Sequence, residues 1–390
     1  MYRDSSVAVV VPAYNEEGFV GSVVRGIPAY VDKIYVVDDR STDGTWDELQ
    51  ECAERMNAEG EGDGERVVPI RHERNRGVGG AIKTGYKRAL RDEIDVTAVI
   101  AGDGQMDPSK LTQFLDPIVD GEADYTKGNR LWREDTWREM SRWRLFGNRL
   151  LTVLTKIASG YWGMVDPQNG YAAISLRALE ELPIDDLYEE YGFLNDLLVH
   201  LNVQGLRIAD VPHEAVYGEE QSGIKYSTFV PRLSKLLLRD FLWRLKMKYF
   251  VYDFHPTGLC YALGAAGTGA GAVAALKALA DRDSESRFTD LLLSGVVSLL
   301  GWLFLVVAVV LDIDRNADLM ASGEYGERRA EADIPDAAYA HAGEATSGAP
   351  ERASDTDRGP DSESEDASGN ESAADGGSED VDRSSGGSER

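Results

Sequence analysis

The sequence of 390 residues predicts an α/β domain with a mostly parallel, doubly wound sheet, followed by a hairpin of two apolar helices and a disordered acidic tail. Three observations predict this organisation. Short β-branched runs alternate with helix-patterned segments over the first 130 residues. Two apolar stretches of about 20 residues follow, each long enough to cross a bilayer. Residues 316–390 are rich in acidic and small residues and hold almost no large apolar side chains after Tyr339.

Four short runs are predicted to be buried parallel strands, because each is apolar throughout and is bounded by turn or polar residues. These runs are Val7–Val11, Ile34–Val37, Val67–Ile70 and Thr97–Ala101. Apolar residues at helical spacing predict three helices between them, namely Glu16–Ile27, Trp46–Met56 and Gly79–Arg91. Ligands of such sheets bind beyond the carboxyl ends of the strands, so the polar residues after each strand are the candidates for a site.

The apolar stretches Thr257–Ala280 and Leu291–Leu311 predict two transmembrane helices, with a buried hairpin in a soluble domain as the alternative. The short link Asp281–Thr289 places both flanks of the hairpin on the same side of the membrane. Gly267 and Gly271 have the spacing that lets two helices approach closely, which suggests a homo-oligomer as one use of the first helix. The predicted division of the chain is 1–230 for the catalytic domain, 231–256 for a basic amphipathic juxtamembrane segment, 257–311 for the two transmembrane helices and 312–390 for the acidic tail.

The juxtamembrane segment carries six basic residues, and the positive-inside tendency places it in the cytoplasm. They are Arg232, Lys235, Arg239, Arg244, Lys246 and Lys248. No basic region or cleavage site precedes Val7–Val11, so this run does not have the pattern of a signal peptide. We therefore expect a multi-pass protein of the cell membrane, with the catalytic domain and both termini in the cytoplasm.

Charge and cysteine content narrow the class of protein further. The formal net charge is −27, and residues 316–390 account for −14 of it, with 20 acidic and 6 basic residues. An acidic body and tail suit a salt-rich cytosol and predict a halophilic archaeal source, although an ordinary acidic protein with an acidic tail has the same balance. Nucleic acid is not expected as a partner. Cys52 and Cys260 predict neither a metal site nor a disulfide.

Carboxylates and small residues follow three of the predicted strands and should meet at one edge of the sheet. The segments are Pro12–Glu17, Asp38–Thr45 and Gly102–Pro108. A site for a nucleoside diphosphate needs acceptors for base and ribose, close approach of the backbone, and a carboxylate that holds a cation against the phosphates. The three segments together could supply all of these.

These motifs resemble family 2 glycosyltransferases of GT-A fold. The resemblance rests on six segments in order, spanning about residues 7–311: Val10–Glu16, Val37–Thr45, Asn75–Gly79, Gly102–Pro108, Lys127–Arg130 and Asp166–Tyr171. The last two, with a two-helix anchor, are similar to the polyprenyl- or dolichyl-phosphate sugar synthases.

The resemblance implies roles in binding the donor. Pro12, Tyr14 and Glu16 would line the pocket for base and ribose, Asp39 would accept from the base, and Gly77 and Gln105 would also contact the nucleotide. Capping of helices by Asn15 and Asp43 is the alternative use of these loops.

Asp103 would hold Mg²⁺ or Mn²⁺ as both metal ligand and catalytic residue. The family often has Asp-x-Asp here, and Ala101 stands in place of the first Asp. Asp107 is the second choice as ligand, but Pro108 after it also suits a plain turn.

On the acceptor side, the resemblance implies that Asp166, Gln168 and Asp196 are catalytic-site residues near the sugar. Asp196 is expected to orient sugar hydroxyls, because a phosphate acceptor is already ionised and needs no strong base. Arg130, Arg142, Arg144 and Lys225 are the candidates for the acceptor phosphate, with an ordinary solvated helix or loop as the alternative for the last three. Trp132, Trp137 and Trp143 lie among these arginines and suit the headgroup level of a membrane.

The implied function is inverting transfer of a hexose from a UDP- or GDP-sugar to dolichyl (polyprenyl) phosphate, for protein glycosylation or surface polysaccharide. One alternative is extension of a lipid-linked saccharide. Another is a catalytically weak membrane protein that binds nucleotide, which Ala101 keeps open. A processive synthase is not expected, because the sequence has no Gln-x-x-Arg-Trp and only two predicted spans.

Overall fold

Seven strands form one mixed sheet in the part of the chain that the computed structural model describes, which is residues 1–59, 64–130, 142–213, 226–281 and 286–321. The strands are β1 (Val7–Ala13), β2 (Lys33–Asp38), β3 (Val67–Arg71), β4 (Val96–Val99), β5 (Tyr125–Asn129), β6 (Ala172–Ser175) and β7 (Ile208–Pro212). Their order is β3-β2-β1-β4-β6-β5-β7, and β6 runs antiparallel to both of its neighbours while the other pairs are parallel. The predicted mostly parallel α/β sheet is confirmed.

Helices cover both faces of the sheet. They are α1 (Val20–Gly26), α2 (Thr45–Glu59), α3 (Val78–Arg91), α4 (Leu111–Val119), α5 (Arg142–Ser159), α6 (Leu176–Glu181) and α7 (Phe193–Val203). On β1, Val9 and Val11 join the core with α1, α2 and α4, whereas Val10 joins the core with α3, α6 and α7. Because both faces of β1 are buried, the strand is apolar at every position, as its sequence predicted.

The first helix is shorter than predicted. The sequence predicted Glu16–Ile27, but α1 begins at Val20. Residues 15–18 form a loop in which Asn15 and Gly18 have positive φ angles of 57° and 86°. The backbone N–H of Glu16 donates to Thr45 Oγ1 (2.7 Å) and that of Gly18 donates to Glu48 Oε2 (2.6 Å). Side chains at the start of α2 therefore hold this segment as a loop.

A long helix, α8 (Tyr226–Lys246), packs on the catalytic sheet domain and continues into a π-helical turn, Met247–Tyr252. Leu233, Leu236 and Leu237 of α8 share a core cluster with Ala158 of α5 and Val199 of α7. The predicted boundary between residues 230 and 231 falls inside α8. The basic segment is thus the same helix that closes one side of the domain.

Two apolar helices follow, α9 (Pro256–Ala280) and α10 (Arg287–Asn316), and each is long and apolar enough to cross a membrane. They pack against each other through small residues. A Cβ atom on Gly271 would lie 2.7 Å from the backbone nitrogen of Ser298, so this close approach requires glycine. The close contact predicted from Gly267 and Gly271 is made within the chain, and it gives no support to the expected homo-oligomer.

A buried ion pair fastens the end of α10 to the catalytic domain. The guanidinium of Arg244 is fully buried and contacts both carboxylate oxygens of Asp312 at 2.9 Å. It also donates to the carbonyl oxygens of Ala158 (2.9 Å) and Ile157 (3.1 Å) at the end of α5. Asp312 accepts further hydrogen bonds from Tyr249 in the π-helical turn and from Trp162. Four elements thus meet at one charge pair.

After α10 the chain returns to the sheet. Met320 forms a parallel bridge with Ile208 of β7, and the N–H of Ala321 donates to the Ile208 carbonyl at 2.9 Å. Near the start of the hairpin, Asp253 forms an ion pair with Arg315 at the end of α10 (2.9 Å). Both ends of the apolar hairpin therefore lie at the catalytic domain. Their position on one side of a membrane stays a prediction.

Removing one partner of the buried Arg244–Asp312 pair should lower the stability of the folded protein. We expect Asp312→Ala to destabilise the protein by about 3–5 kcal/mol, because it leaves the Arg244 charge buried without a counter-charge. The measurement is the thermal unfolding temperature in detergent, where a loss of about 10 °C is expected. Asp253→Ala is the control, since it breaks an exposed ion pair and should cost less than about 1 kcal/mol.

The double variant Arg244→Met with Asp312→Leu should recover most of the lost unfolding temperature, because apolar side chains of similar size can replace a buried ion pair. Equal losses in Asp312→Ala and Asp253→Ala would show that the buried pair has no special part in joining the hairpin to the domain.

Candidate active site

The carboxyl ends of β1, β2 and β4 meet at one edge of the sheet, as predicted. The N–H of Asp39 donates to the Ala13 carbonyl (2.9 Å) and the N–H of Gly102 donates to the Pro12 carbonyl (3.1 Å). Pro12 is buried within β1, whereas Tyr14 directly after the strand is 46% exposed. The structure therefore brings the predicted donor-binding segments together, with an aromatic ring open to solvent at their rim.

Asp38 and Asp39 at the end of β2 are both buried and both bonded to the protein itself. Asp38 forms an ion pair with Arg71 at 3.0 Å. Asp39 accepts from His72 Nδ1 (2.7 Å) and from the backbone N–H groups of Arg76 (2.8 Å) and Gly77 (2.7 Å). His72 and the backbone just before α3 thus supply the partners that the buried carboxylate of Asp39 requires. A contact between Asp39 and a base stays a prediction.

Gly77 has a packing reason to be glycine. Its φ angle is +82°, and a Cβ atom there would lie 2.8 Å from the carbonyl oxygen of Glu189. Gly79 is under the same constraint, with 2.7 Å to the same oxygen. The backbone at Gly77 thus packs against the segment before α7. A contact between Gly77 and a nucleotide stays a prediction.

The loop after β4 holds one carboxylate where the family often has two. Asp103 Oδ1 accepts from the N–H of Gln105 at 3.0 Å, and Gly104 between them has a positive φ angle of 74°. Asp107 caps a 3₁₀ turn by accepting from the N–H of Ser109 (2.9 Å), which is the turn role given as its alternative. Within the described residues, no group of three His, Cys, Asp or Glu side chains could hold a metal ion.

Two residues predicted separately, Arg130 and Asp166, form an ion pair. Arg130 Nε lies 2.8 Å from Asp166 Oδ2, and Nη2 lies 3.3 Å from Oδ1. Burial by itself would raise the pKa of Asp166, but the Arg130 guanidinium outweighs it and holds that pKa below its usual value. Asp166 is therefore ionised, and it orients a cation that is one-third exposed.

Gln168 contacts a residue that the sequence did not predict. Its Nε2 donates to Asn195 Oδ1 at 2.9 Å, and the Thr155 hydroxyl donates to the same oxygen at 2.9 Å. Asn195 is 1% exposed, and its Nδ2 has no hydrogen-bond partner among the described residues. Nothing in the local sequence distinguishes this asparagine, because its three elements meet only in the folded chain.

Asp196 lies below the surface at the start of α7. Its side chain is fully buried, and it accepts from the N–H of Tyr188 (2.9 Å) and from Arg239 of α8 (2.9 Å). The expected contact with sugar hydroxyls stays a prediction. The bonds observed here fix the carboxylate from two sides.

His213 directly follows β7 and lies near the Arg130–Asp166 pair. Its ring packs edge-on against Phe114 and Tyr171. Burial, and then the charge of Arg130, lower the pKa of His213 to about 4. The imidazole is therefore neutral at physiological pH and adds no positive charge for a phosphate.

Several predicted acceptor residues lie outside the described part of the chain. This holds for Lys225 and for Trp132 and Trp137. Arg142 and Arg144 belong to the first turn of α5, but their side chains, like that of Trp143, are also outside it. Their roles stay predictions.

The sequence of this chain is similar to those of known proteins. Residues 8–182 match glycosyl transferase family 2. The chain is 30% identical over 221 residues to the UDP-N-acetylglucosamine–dolichyl-phosphate N-acetylglucosaminyltransferase of Methanococcus voltae, with 55% of this chain and 88% of that protein covered. It is 28% identical over 218 residues to the undecaprenyl-phosphate mannosyltransferase of Micrococcus luteus, with 53% and 82% covered.

Among solved structures, a complex of glucosyl-3-phosphoglycerate synthase from Mycobacterium tuberculosis with Mn²⁺, UDP and glucosyl-3-phosphoglycerate is similar to this chain. The TM-score is 0.44 at 21% identity, with 62% of this chain and 80% of that chain covered.

The lowered pKa of His213 predicts a pH dependence of stability. Between pH 6.5 and pH 4 the unfolded chain binds the imidazole proton and the folded chain does not, so stability should fall as the pH falls through this range. We expect His213→Gln to lose less unfolding temperature than the wild type between pH 7 and pH 4.5. His213→Phe, which keeps the ring but not its nitrogens, should show the same flatter profile. Parallel profiles in all three proteins would contradict the assignment.

Proposed function

Because the chain belongs to glycosyl transferase family 2, we propose that it transfers a hexose from a UDP- or GDP-sugar to dolichyl or another polyprenyl phosphate at the cytoplasmic face of a membrane. The family membership confirms the resemblance predicted from the six motifs, and the mostly parallel sheet agrees with the GT-A fold that the resemblance implied. The choice of acceptor follows the names of the relatives in Methanococcus voltae and Micrococcus luteus, both of which act on polyprenyl phosphates.

The proposal of a lipid acceptor rests on one observation: an exposed apolar hairpin is attached to the catalytic domain. Large apolar side chains such as Leu299, Trp302 and Leu303 are 58–70% exposed along α10. An apolar surface of this extent is favourable in lipid and unfavourable in water. The buried Arg244–Asp312 pair holds the domain at the end of this hairpin. A membrane-embedded acceptor can therefore reach the domain without leaving the bilayer.

In the proposed reaction, a phosphate oxygen of the acceptor attacks the anomeric carbon while the bond from that carbon to the nucleoside diphosphate breaks. One displacement of this kind inverts the anomeric centre. The acceptor oxygen is already ionised near neutral pH, so no strong general base is required. Arg130 would bind the acceptor phosphate, because its planar guanidinium suits phosphate oxygens. Asp166 holds this guanidinium in place.

The residues after β4 fit a divalent cation that takes most of its ligands from the substrate. Mg²⁺ is commonly bound through one or two carboxylates together with substrate phosphates. Asp103 is the residue that would hold it, with Ala101 supplying no second carboxylate. When bound, Mg²⁺ or Mn²⁺ would stabilise the negative charge of the departing nucleoside diphosphate. Gln105, whose N–H already bonds Asp103, would keep this loop in shape.

The experiment uses purified full-length protein in detergent and high salt, with dolichyl phosphate, Mg²⁺ or Mn²⁺, and a panel of radiolabelled UDP- and GDP-sugars. Label that enters the organic phase from one donor supports the proposal and names the sugar. Asp103→Asn should lower transfer by about 100-fold or more, because a neutral amide holds the divalent cation that would offset the charge of the leaving group less well than a carboxylate does. Asp107→Asn is the matched control in the same loop, and it should stay within about threefold because asparagine caps a turn as well as aspartate does.

Two outcomes would overturn the proposal. Transfer to a lipid-linked saccharide but not to dolichyl phosphate would show that the acceptor is a saccharide and not a polyprenyl phosphate. Binding of nucleotide without transfer from any donor would make the protein a non-catalytic nucleotide-binding member of the family.

A further inference from the structure

The carboxylate of Asp196 is positioned by α8, the helix that leads into the apolar hairpin. Arg239 of α8 reaches Asp196 Oδ1 with Nη2 at 2.9 Å. The opposite oxygen accepts from the N–H of Tyr188 at 2.9 Å. The Asp196 side chain is fully buried while that of Arg239 is 58% exposed, so the guanidinium connects a buried group of the site with the surface of α8.

A second carboxylate competes for the same guanidinium. Asp240 Oδ1 lies 2.8 Å from Arg239 Nη2 and 2.9 Å from its Nε. Asp240 is 3% exposed, and its Oδ2 has no hydrogen-bond partner among the described residues. Two buried carboxylates thus share one cation, which is an unfavourable balance unless one of them carries a proton.

Among the described residues, Asp240 forms an ion pair with Arg239 alone, and other titratable groups lie on the elements packed against α8. From α7, His200 places Nδ1 2.9 Å from the Asp196 carbonyl oxygen and 3.6 Å from its carboxylate. From the segment before α7, Tyr188 contributes its backbone N–H. α5 also packs on α8, but its Lys156 has its electrostatic neighbours elsewhere, at Asp210 and Lys127.

Asp240 is the carboxyl that keeps the proton. Burial, and then the charge of Asp196, raise the pKa of Asp240 to about 7. Below that pH a neutral Asp240 leaves Arg239 bonded to Asp196 as its charged partner. Above it, the deprotonated Asp240 attracts the same guanidinium and weakens its hold on Asp196.

We propose that Arg239 and Asp240 are positioning residues of the transferase site: a protonated Asp240 leaves the guanidinium of Arg239 free of a second charged partner, and the guanidinium holds Asp196 in place. This inference rests on the proposed function, since Asp196 is expected from the sequence to orient the sugar that the enzyme would transfer. It adds that the position of Asp196 is set from α8 and changes around neutral pH.

The first test replaces Asp240 with its neutral isostere. In Asp240→Asn the amide takes the place of the protonated carboxyl at every pH, so the ratio of its kcat to that of the wild type should rise about tenfold between pH 6 and pH 8.5. Glu54→Gln is the control, since it removes an exposed carboxylate on α2 and should give a constant ratio. A constant ratio for Asp240→Asn as well would overturn the proposal.

The second test changes the cation. Arg239→Met should lower kcat by about 100-fold with donor KM within twofold, because a small displacement of a positioned group slows the reaction without weakening nucleotide binding. Arg239→Lys should recover about tenfold of this loss, since one ammonium can serve one carboxylate but not both. Equal changes in kcat and donor KM, or no recovery by lysine, would indicate a merely structural role.

Thermal unfolding separates a failure of this inference from a failure of the proposed function. A carboxyl with a raised pKa binds more protons in the folded state between pH 4 and pH 7, so its contribution to stability is lost as the pH rises through about 7. The unfolding temperature of Asp240→Asn relative to the wild type should therefore rise from pH 6 to pH 8. A wild type that transfers no sugar overturns the proposed function and the positioning role with it, whereas the unfolding difference still shows whether Asp240 carries the proton. A flat unfolding difference overturns the protonation of Asp240 whatever the activity.

Discussion

The buried pair of Arg244 and Asp312 is the interaction on which the arrangement of the whole chain depends. A guanidinium with no exposed surface requires a counter-charge and acceptors on all sides, and it finds them at the end of α10 and the end of α5. Few positions of the hairpin relative to the domain satisfy these bonds at once. The apolar helices are therefore joined to the catalytic domain in a defined orientation. The connection is also short, since only Asp253–His255 separates the π-helical turn from α9.

Helix α7 connects the hairpin with the candidate site through contacts at both of its ends. Near its start, Asp196 is held by Arg239 of α8. Near its end, Asn202 accepts from Lys248 Nζ (2.9 Å) and donates to Asn316 of α10 (3.0 Å). Burial, and then the charge of Arg244, lower the pKa of Lys248 to about 7. Lys248 belongs to the π-helical turn, so a group that titrates near neutrality also contacts this end of α7. Both ends of α7 are thus fixed by elements that lead into or out of the hairpin.

The features that the sequence predicted correctly are those written in local patterns. The strands β1 to β4 are apolar runs bounded by polar residues, and the residues after them meet at one edge because parallel topology requires it. The late start of α1 could not be predicted, since side chains about 30 residues away in α2 satisfy the N–H groups of residues 16–18. The same holds for Gly77, which is glycine because the segment at Glu189 packs on it, and for Asn195, whose partners come from α5 and the loop at Gln168. Each of these depends on contacts between segments distant in sequence.

Arginine pairs with the buried carboxylates of the site in a chain that is otherwise strongly acidic. With a net charge of −27, the exposed carboxylates of this chain repel one another and depend on salt for screening. The carboxylates at the site are different, because Asp38, Asp166 and Asp196 are buried and each is paired with an arginine within 3.0 Å. Buried pairs are screened much less by salt. The geometry of the site is therefore set by contacts within the protein that salt screens little.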